Sequence, residues 1–329
     1  MKIDNHDRYL RDKRRKSIKR RIFFATIVLA ILILMIKFKT HKEEYIANKK
    51  MLQEMEKNSS RETTDKKPEN NEQNLEKPSD DEEIFRQILK NENVFVNTYK
   101  RNELLHNLEI FAKYNKNAKL IMKHADDIHI SLLKLAGNNY TAVNFVAKTI
   151  DPSIKNDYSY HTKANQSDVP LFLQWDRRWG YEKYGYGIIG YTGCGPTSCA
   201  MVLSTMKKDN SITPALIAEE SDRNGFSSSD GTSWDFYPFI ASKYGLKAVQ
   251  VNPDYNTIKY NIKKKNFILI SVRPGDFTRV GHVMVISAID KDGNIIINDP
   301  NSLINSQKKW SYKRLQPQIK KMWIFSNGV

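Results

Sequence analysis

The stretch YTGCGPTSCAM, residues 191–201, places Cys194 between two glycines and just ahead of a proline. Four roles are open to such a cysteine: packing, metal binding, bridging or reaction. A disulfide to Cys199 needs Cα atoms within about 7 Å. Five residues along a helix lie roughly 8 Å apart and point in different directions, which disfavours that bridge. Zinc wants four ligands, and a C-x4-C pair with no histidine nearby is poor material. Cys199 shares its segment with Met201, Val202 and Met206 and reads as a packing residue. Cys194 suits a nucleophile better. Pro196 fits the first turn of a helix, where its missing N–H costs nothing. The sulfur would then sit at a helix N-terminus, where the dipole favours thiolate. Gly193 and Gly195, lacking Cβ atoms, are expected to let a substrate backbone come close.

A thiolate nucleophile needs a base, a group that orients the base, and donors for the oxyanion. His282 is the single histidine of residues 169–329 and opens the apolar run HVMVISAI after Gly281. Past the turn DKDGN, the run IINDP returns Asp299 to the same end of the expected hairpin. A carboxylate there is placed to accept from the second imidazole nitrogen. Asp299–Pro300 is also a turn signal, and strand capping is its alternative role. Gln174, in VPLFLQWDRRWG, lies among apolar and aromatic residues, and spacing alone assigns it no role.

The elements that must hold these residues follow from periodicity. A helix is expected from about Pro196 to Met206. Strands are expected at 246–251, 266–272, 282–289, 294–298 and 322–326, where β-branched and apolar residues run together. One helix followed by a mostly antiparallel sheet is an α+β arrangement, spanning residues 169–329. Residues 151–168 form a polar connector. Residues 84–150 carry short apolar segments at helical spacing, a small helical region whose plainest role is packing against the next domain.

Upstream, the formal charge of +16 is concentrated, with +9 within residues 1–40 and +7 over the remainder. No concentrated basic face is visible beyond residue 40, which argues against a nucleic-acid partner. The basic segment 1–21 runs into IFFATIVLAILILMI. Phe38 extends this run, and Arg21, Lys37 and Lys39 can snorkel to the interface. A transmembrane signal anchor over 22–38 is the expectation, with the basic side cytoplasmic. A cleaved signal peptide is the rival, and KFKTHKEEYIA offers it a poor cleavage site. Residues 39–83 read as a polar, disordered tether outside the membrane. Two cysteines make no disulfide scaffold, so a conventional core must stabilise the fold.

Four separated pieces, VPLFLQWDRRWG, GCGPTSCAMVLS, GHVMVISAID and INDPNS, resemble the papain-like cysteine peptidases related to the double-glycine leader peptidases of bacteriocin exporters. More closely, they resemble the stand-alone, surface-anchored members found in Gram-positive bacteria. The resemblance covers about 169–329 and implies a papain-like domain, a cysteine-bearing helix packed on an antiparallel sheet. It implies Cys194 as nucleophile, His282 as base, Asp299 as orienting acid and Gln174 as oxyanion donor. GTSW, ending in Trp234, and PGDFTRVGH, containing Gly281, also resemble cleft-lining segments of these proteins. The implied activity is hydrolysis of a peptide or protein amide bond, with no metal and no organic cofactor. Hydrolysis of cell-wall peptide and a non-catalytic peptide-binding module are the alternatives.

Overall fold

The computed structural model describes residues 80–91, 98–158, 169–228 and 231–328. The expected anchor at 22–38, most of the tether and the second half of the connector lie outside them. Among the described residues, no helix is long and apolar enough to cross a membrane.

The helical region consists of α1 (Asp80–Asn91), α2 (Arg101–Phe111), α3 (Asn117–Lys123), α4 (Ile130–Asn138) and α5 (Val143–Ile150). The tether was expected to run to residue 83, but α1 begins at Asp80. Acidic residues at an N-terminal turn complement the helix dipole, so a stretch too polar for a core still enters a helix. Leu104, Leu108, Phe111, Ile121, Leu133 and Phe145 are buried together, and Gly137 lets α4 approach Leu104 of α2 closely. The connector packs as far as it is described: Tyr158 is buried and stacks on Trp175 at 5.5 Å.

The C-terminal region opens with the two-residue strands β1 (Lys183–Tyr184) and β2 (Gly187–Ile188), then α6 (Ile189–Thr192) and α7 (Cys194–Lys207). There follow α8 (Pro214–Arg223), the short pair β3 (Ser227–Ser228) and β4 (Gly231–Thr232), α9 (Phe236–Lys243), β5 (Leu246–Val251) and α10 (Tyr255–Lys263). Then come β6 (Phe267–Val272), β7 (His282–Ile289), β8 (Ile295–Asn298), α11 (Leu303–Gln307), β9 (Lys309–Trp310) and β10 (Ile319–Asn327). The main sheet has the order β5-β10-β6-β7-β8-β9 with every neighbouring pair antiparallel.

The central strands are apolar almost throughout because both faces are covered. Leu269, Val283, Val285, Trp323 and Phe325 face the cluster that contains α7. Ile268, Ile270, Met284, Ile286, Met322 and Ile324 face a second cluster with Ile258 of α10. The cluster around α7 is continuous with the core of the helical region. The β7–β8 turn closes on Gly293, whose φ of +83° suits glycine, and its N–H bonds to the Asp290 carbonyl at 3.1 Å. That turn brings residues 282 and 299 to the same end of the hairpin.

Helix α7 starts at Cys194, two residues earlier than expected, with Gly193 as its N-cap. Pro196 therefore still falls in the first turn, where an N–H would have no helical partner. The flanking glycines do not face an open approach. A Cβ on Gly193 would lie 2.7 Å from the Ile189 carbonyl oxygen, and one on Gly195 would lie 2.3 Å from Thr232 Oγ1. Both residues are buried, and internal packing, rather than room for substrate, is what their missing side chains provide. Gly193→Ala is expected to cost about 1–3 kcal/mol of stability through overpacking, read as a lower denaturant midpoint with unchanged slope.

Candidate active site

Cys194, the first residue of α7, is half-buried. Its thiol lies within the electrostatic reach of His282 and of the backbone N–H groups of Val283 and Gly195. Burial alone would raise its pKa. The His282 bond and charge, with the two N–H groups, outweigh burial and hold the thiol below its ordinary value. Cys199 is fully buried, and burial drives its thiol far up. The two thiols are thus pushed in opposite directions, Cys194 down and Cys199 up.

His282 opens β7 and pairs with Val272 of β6. Its Nε2 bonds to Asp299 Oδ1 at 2.7 Å. An ionised carboxylate only accepts, so Nε2 carries the proton and Nδ1 is left for the sulfur. Burial lowers the imidazole pKa, but Asp299 and then Cys194 raise it to a net value of about 10. The depressed thiol and raised imidazole both shift the pair toward thiolate and imidazolium.

Asp299 follows β8 and is 1% exposed. Oδ1 also accepts the Asn301 N–H at 2.9 Å, and Oδ2 accepts Asn305 Nδ2 at 2.8 Å. Its own N–H donates to Ser306 Oγ at 2.9 Å. The carboxylate is therefore held from α11 as well as from its own turn. Asn305 is a site residue that sequence reasoning missed, since a lone asparagine in a short polar helix carries no signal.

Gln174 is 3% exposed, and its backbone N–H donates to the Pro300 carbonyl at 2.7 Å. This bond ties the glutamine segment to the residue after Asp299. Nε2 donates to the Gly190 carbonyl at 3.1 Å, while Oε1 has no hydrogen-bond partner. The Gly190 oxygen fixes the amide orientation, because the reverse would set two acceptors face to face. One Nε2 proton remains for another acceptor. Gly190 lies one turn before Cys194 and also escaped sequence reasoning.

Trp234 is half-buried, 6.2 Å from the Trp323 ring, with Lys320 Nζ 4.9 Å and Lys321 Nζ 5.4 Å from its centroid. Lys321 pairs with Ser271 and Ser271 with Val283. The Lys321 backbone is thus two strand spacings, about 10 Å, from that of Val283. Gly281 is exposed, and a Cβ there would meet nothing nearer than the Val272 oxygen at 4.0 Å. The loop before it is tied down by Arg314, whose Nε and Nη2 bond to Asp276 at 2.7 and 2.6 Å. In the aromatic run after Gln174, Trp175, Trp179 and Tyr184 are buried packing residues, whereas Tyr186 is exposed.

A cysteine at the head of a helix, facing an imidazole held by a carboxylate on an antiparallel sheet, is the arrangement of papain-like thiol hydrolases. Residues 166–328 match the model of the Peptidase C39 like family, and this segment is a C39-related, papain-like peptidase domain. Among solved structures, the peptidase domain of Streptococcus ComA, a bi-functional ABC transporter involved in a quorum sensing pathway, is 23% identical with TM-score 0.32. It covers 41% of this chain and 92% of its own. A double glycine motif protease from an AMS/PCAT transporter, solved with its leader peptide, is 19% identical with TM-score 0.33, over 50% of this chain and 94% of its own. No curated protein matches the chain.

Proposed function

We propose that this protein is a membrane-anchored, extracellular cysteine peptidase hydrolysing a peptide amide bond through Cys194, His282 and Asp299, with Gln174 in the oxyanion hole. The observation that carries this reading is the His282–Asp299 bond of 2.7 Å, with Cys194 at the head of α7 close enough for the same imidazole to lower its thiol. The thiolate attacks the scissile carbonyl, and the electron pair of the C=O bond moves onto its oxygen. The spare Nε2 proton of Gln174 and the Cys194 backbone N–H stabilise that oxyanion. His282 passes its Nδ1 proton to the leaving amine as the C–N bond breaks. Water, deprotonated by the same nitrogen, then releases the acyl group and restores the thiolate. Extracellular placement is supported by the basic segment ahead of the apolar run 22–38.

A thiol-reactive peptide electrophile is expected to label Cys194 and leave Cys199 untouched. Labelling should disappear in Cys194→Ser and fall sharply in His282→Ala. Equal labelling of both cysteines, or full labelling without the imidazole, would refute an activated thiolate. Incubating the protein with purified cell walls and, separately, with secreted peptides then sorts the substrate class by which set yields new amino termini.

A further inference from the structure

The helical region ahead of the peptidase domain reaches the parts of the site. Phe145 of α5 is 1% exposed, and its ring fills the space where two glycines of the next domain lack side chains. A Cβ on Gly190 would lie 2.4 Å from Phe145 Cζ, and one on Gly180 would lie 2.7 Å from Cε2. Gly180 and Gly190 are themselves joined, Gly190 N–H to Gly180 oxygen at 2.8 Å. The Phe145 ring also stacks on Tyr181 at 4.3 Å, and the Tyr181 hydroxyl donates to the Phe145 carbonyl at 3.1 Å. A second contact braces the same short helix: His129, capping α4, stacks on Tyr191 at 4.8 Å.

The consequence lies in what Gly190 does. Its carbonyl is the acceptor that sets the direction of the Gln174 amide. Helix α6, which carries Gly190 and Tyr191, runs straight into the N-cap of the cysteine helix. Moving Phe145 away leaves α6 free to shift into the vacated space, and the Gly190 oxygen goes with it. An oxyanion donor acts only when aimed at the oxyanion position, so a small rotation of the glutamine amide is felt in catalysis. We infer that the helical region is a structural part of the active site, with Phe145 a positioning residue that aims Gln174 through Gly190. This inference rests on the proposed oxyanion role of Gln174.

Two small reagents applied to the full chain separate the effects. p-Nitrophenyl acetate acylates the sulfur through a tetrahedral oxyanion, whereas iodoacetamide alkylates it by displacement without one. Phe145→Ala is expected to slow acylation about tenfold or more while the rate and pH profile of alkylation stay unchanged. Phe145→Leu, which keeps most of the apolar filling, is expected to fall between, and it carries the test should the alanine variant not fold. In a Gln174→Ala background, Phe145→Ala should cost nothing further, the mark of two residues acting as one unit. Ile121→Ala, a core change on α3, should leave the ratio of the two rates untouched. An equal fall in both rates, or a full second loss in the double variant, overturns the positioning role. If Gln174→Ala itself acylates at the parent rate, the oxyanion assignment fails. If Gln174→Ala is slowed and Phe145→Ala is not, this inference alone fails.

Discussion

Cys194→Ala is expected to lose turnover on the order of 10⁴-fold or more, down to the background of the unassisted reaction, while the fold persists. The loss is large because the second cysteine cannot take over the acyl group. Cys199, five residues along α7, is fully buried, and its thiol is held protonated by that burial. The fold should persist because the sulfur contributes little packing that an alanine methyl does not. Helix α7 is anchored further along by Ala200, Met201, Val202 and Leu203, all fully buried, and by Ser198 Oγ donating to the Val283 carbonyl at 3.1 Å. Removing the sulfur takes one partner from a buried imidazole, but Asp299 still holds that ring at 2.7 Å and keeps its charge compensated. The thermal midpoint of the variant should therefore stay close to that of the parent. Near-parent turnover of the cleaved peptide or cell-wall substrate in Cys194→Ala would end the nucleophile assignment. Loss of activity together with a collapsed midpoint would instead mark Cys194 as a packing residue.

The contrast between the two cysteines was legible in the sequence, since one stands among glycines and the other among apolar neighbours. The strands were equally legible. β5 and β7 coincide with the runs LKAVQV and HVMVISAI, because β-branched and apolar residues bounded by turn residues suit a covered sheet. β10 proved longer at both ends than its apolar kernel, extending through Ile319–Lys321 and Asn327. Its ends are held by pairing with β6 and β5, which periodicity cannot register. The papain-like character was carried by four dispersed motifs and not by any one element. What stayed hidden was tertiary. That Gly193 and Gly195 serve Ile189 and Thr232, and that Gly190 serves both Gln174 and Phe145, depends on neighbours distant in the chain or on backbone atoms. A glycine announces that a side chain is excluded, but not by what. The influence of the Val283 N–H on the Cys194 thiol is invisible for the same reason, as every residue but proline offers one.

Asp299→Ala is the second large effect, an expected fall of about 10³–10⁴ in turnover, and its reasoning runs through both partners. Asp299 is what lifts the buried imidazole above its ordinary pKa. Without the carboxylate, burial prevails and the imidazole becomes neutral at pH 7. The thiol then loses the cation that offsets its own burial, so its pKa climbs instead of falling. In the parent, the midpoint of alkylation by iodoacetamide should lie below the ordinary thiol value of about 8.5, since His282 and its neighbours lower the thiol. Activity should decline again on the alkaline side as the imidazolium loses its proton near the raised value of about 10. In the variant, the alkylation midpoint should move above 8.5, and the bell-shaped activity profile should flatten. Asp299→Asn divides charge from orientation. An asparagine can still accept from Nε2 and hold the tautomer, so it should recover part of the turnover but only part of the shift in the alkylation midpoint. The alternative reading of Asp299–Pro300 as a strand cap makes the opposite forecast. A cap also leaves Asn301 N–H and Asn305 Nδ2 unpartnered when removed, costing about 1–3 kcal/mol for the buried Asn305 amide. It would not, however, move the thiol's titration. A midpoint that stays where the parent has it, in a variant that has merely lost stability, would return Asp299 to the turn and leave His282 without its orienting partner.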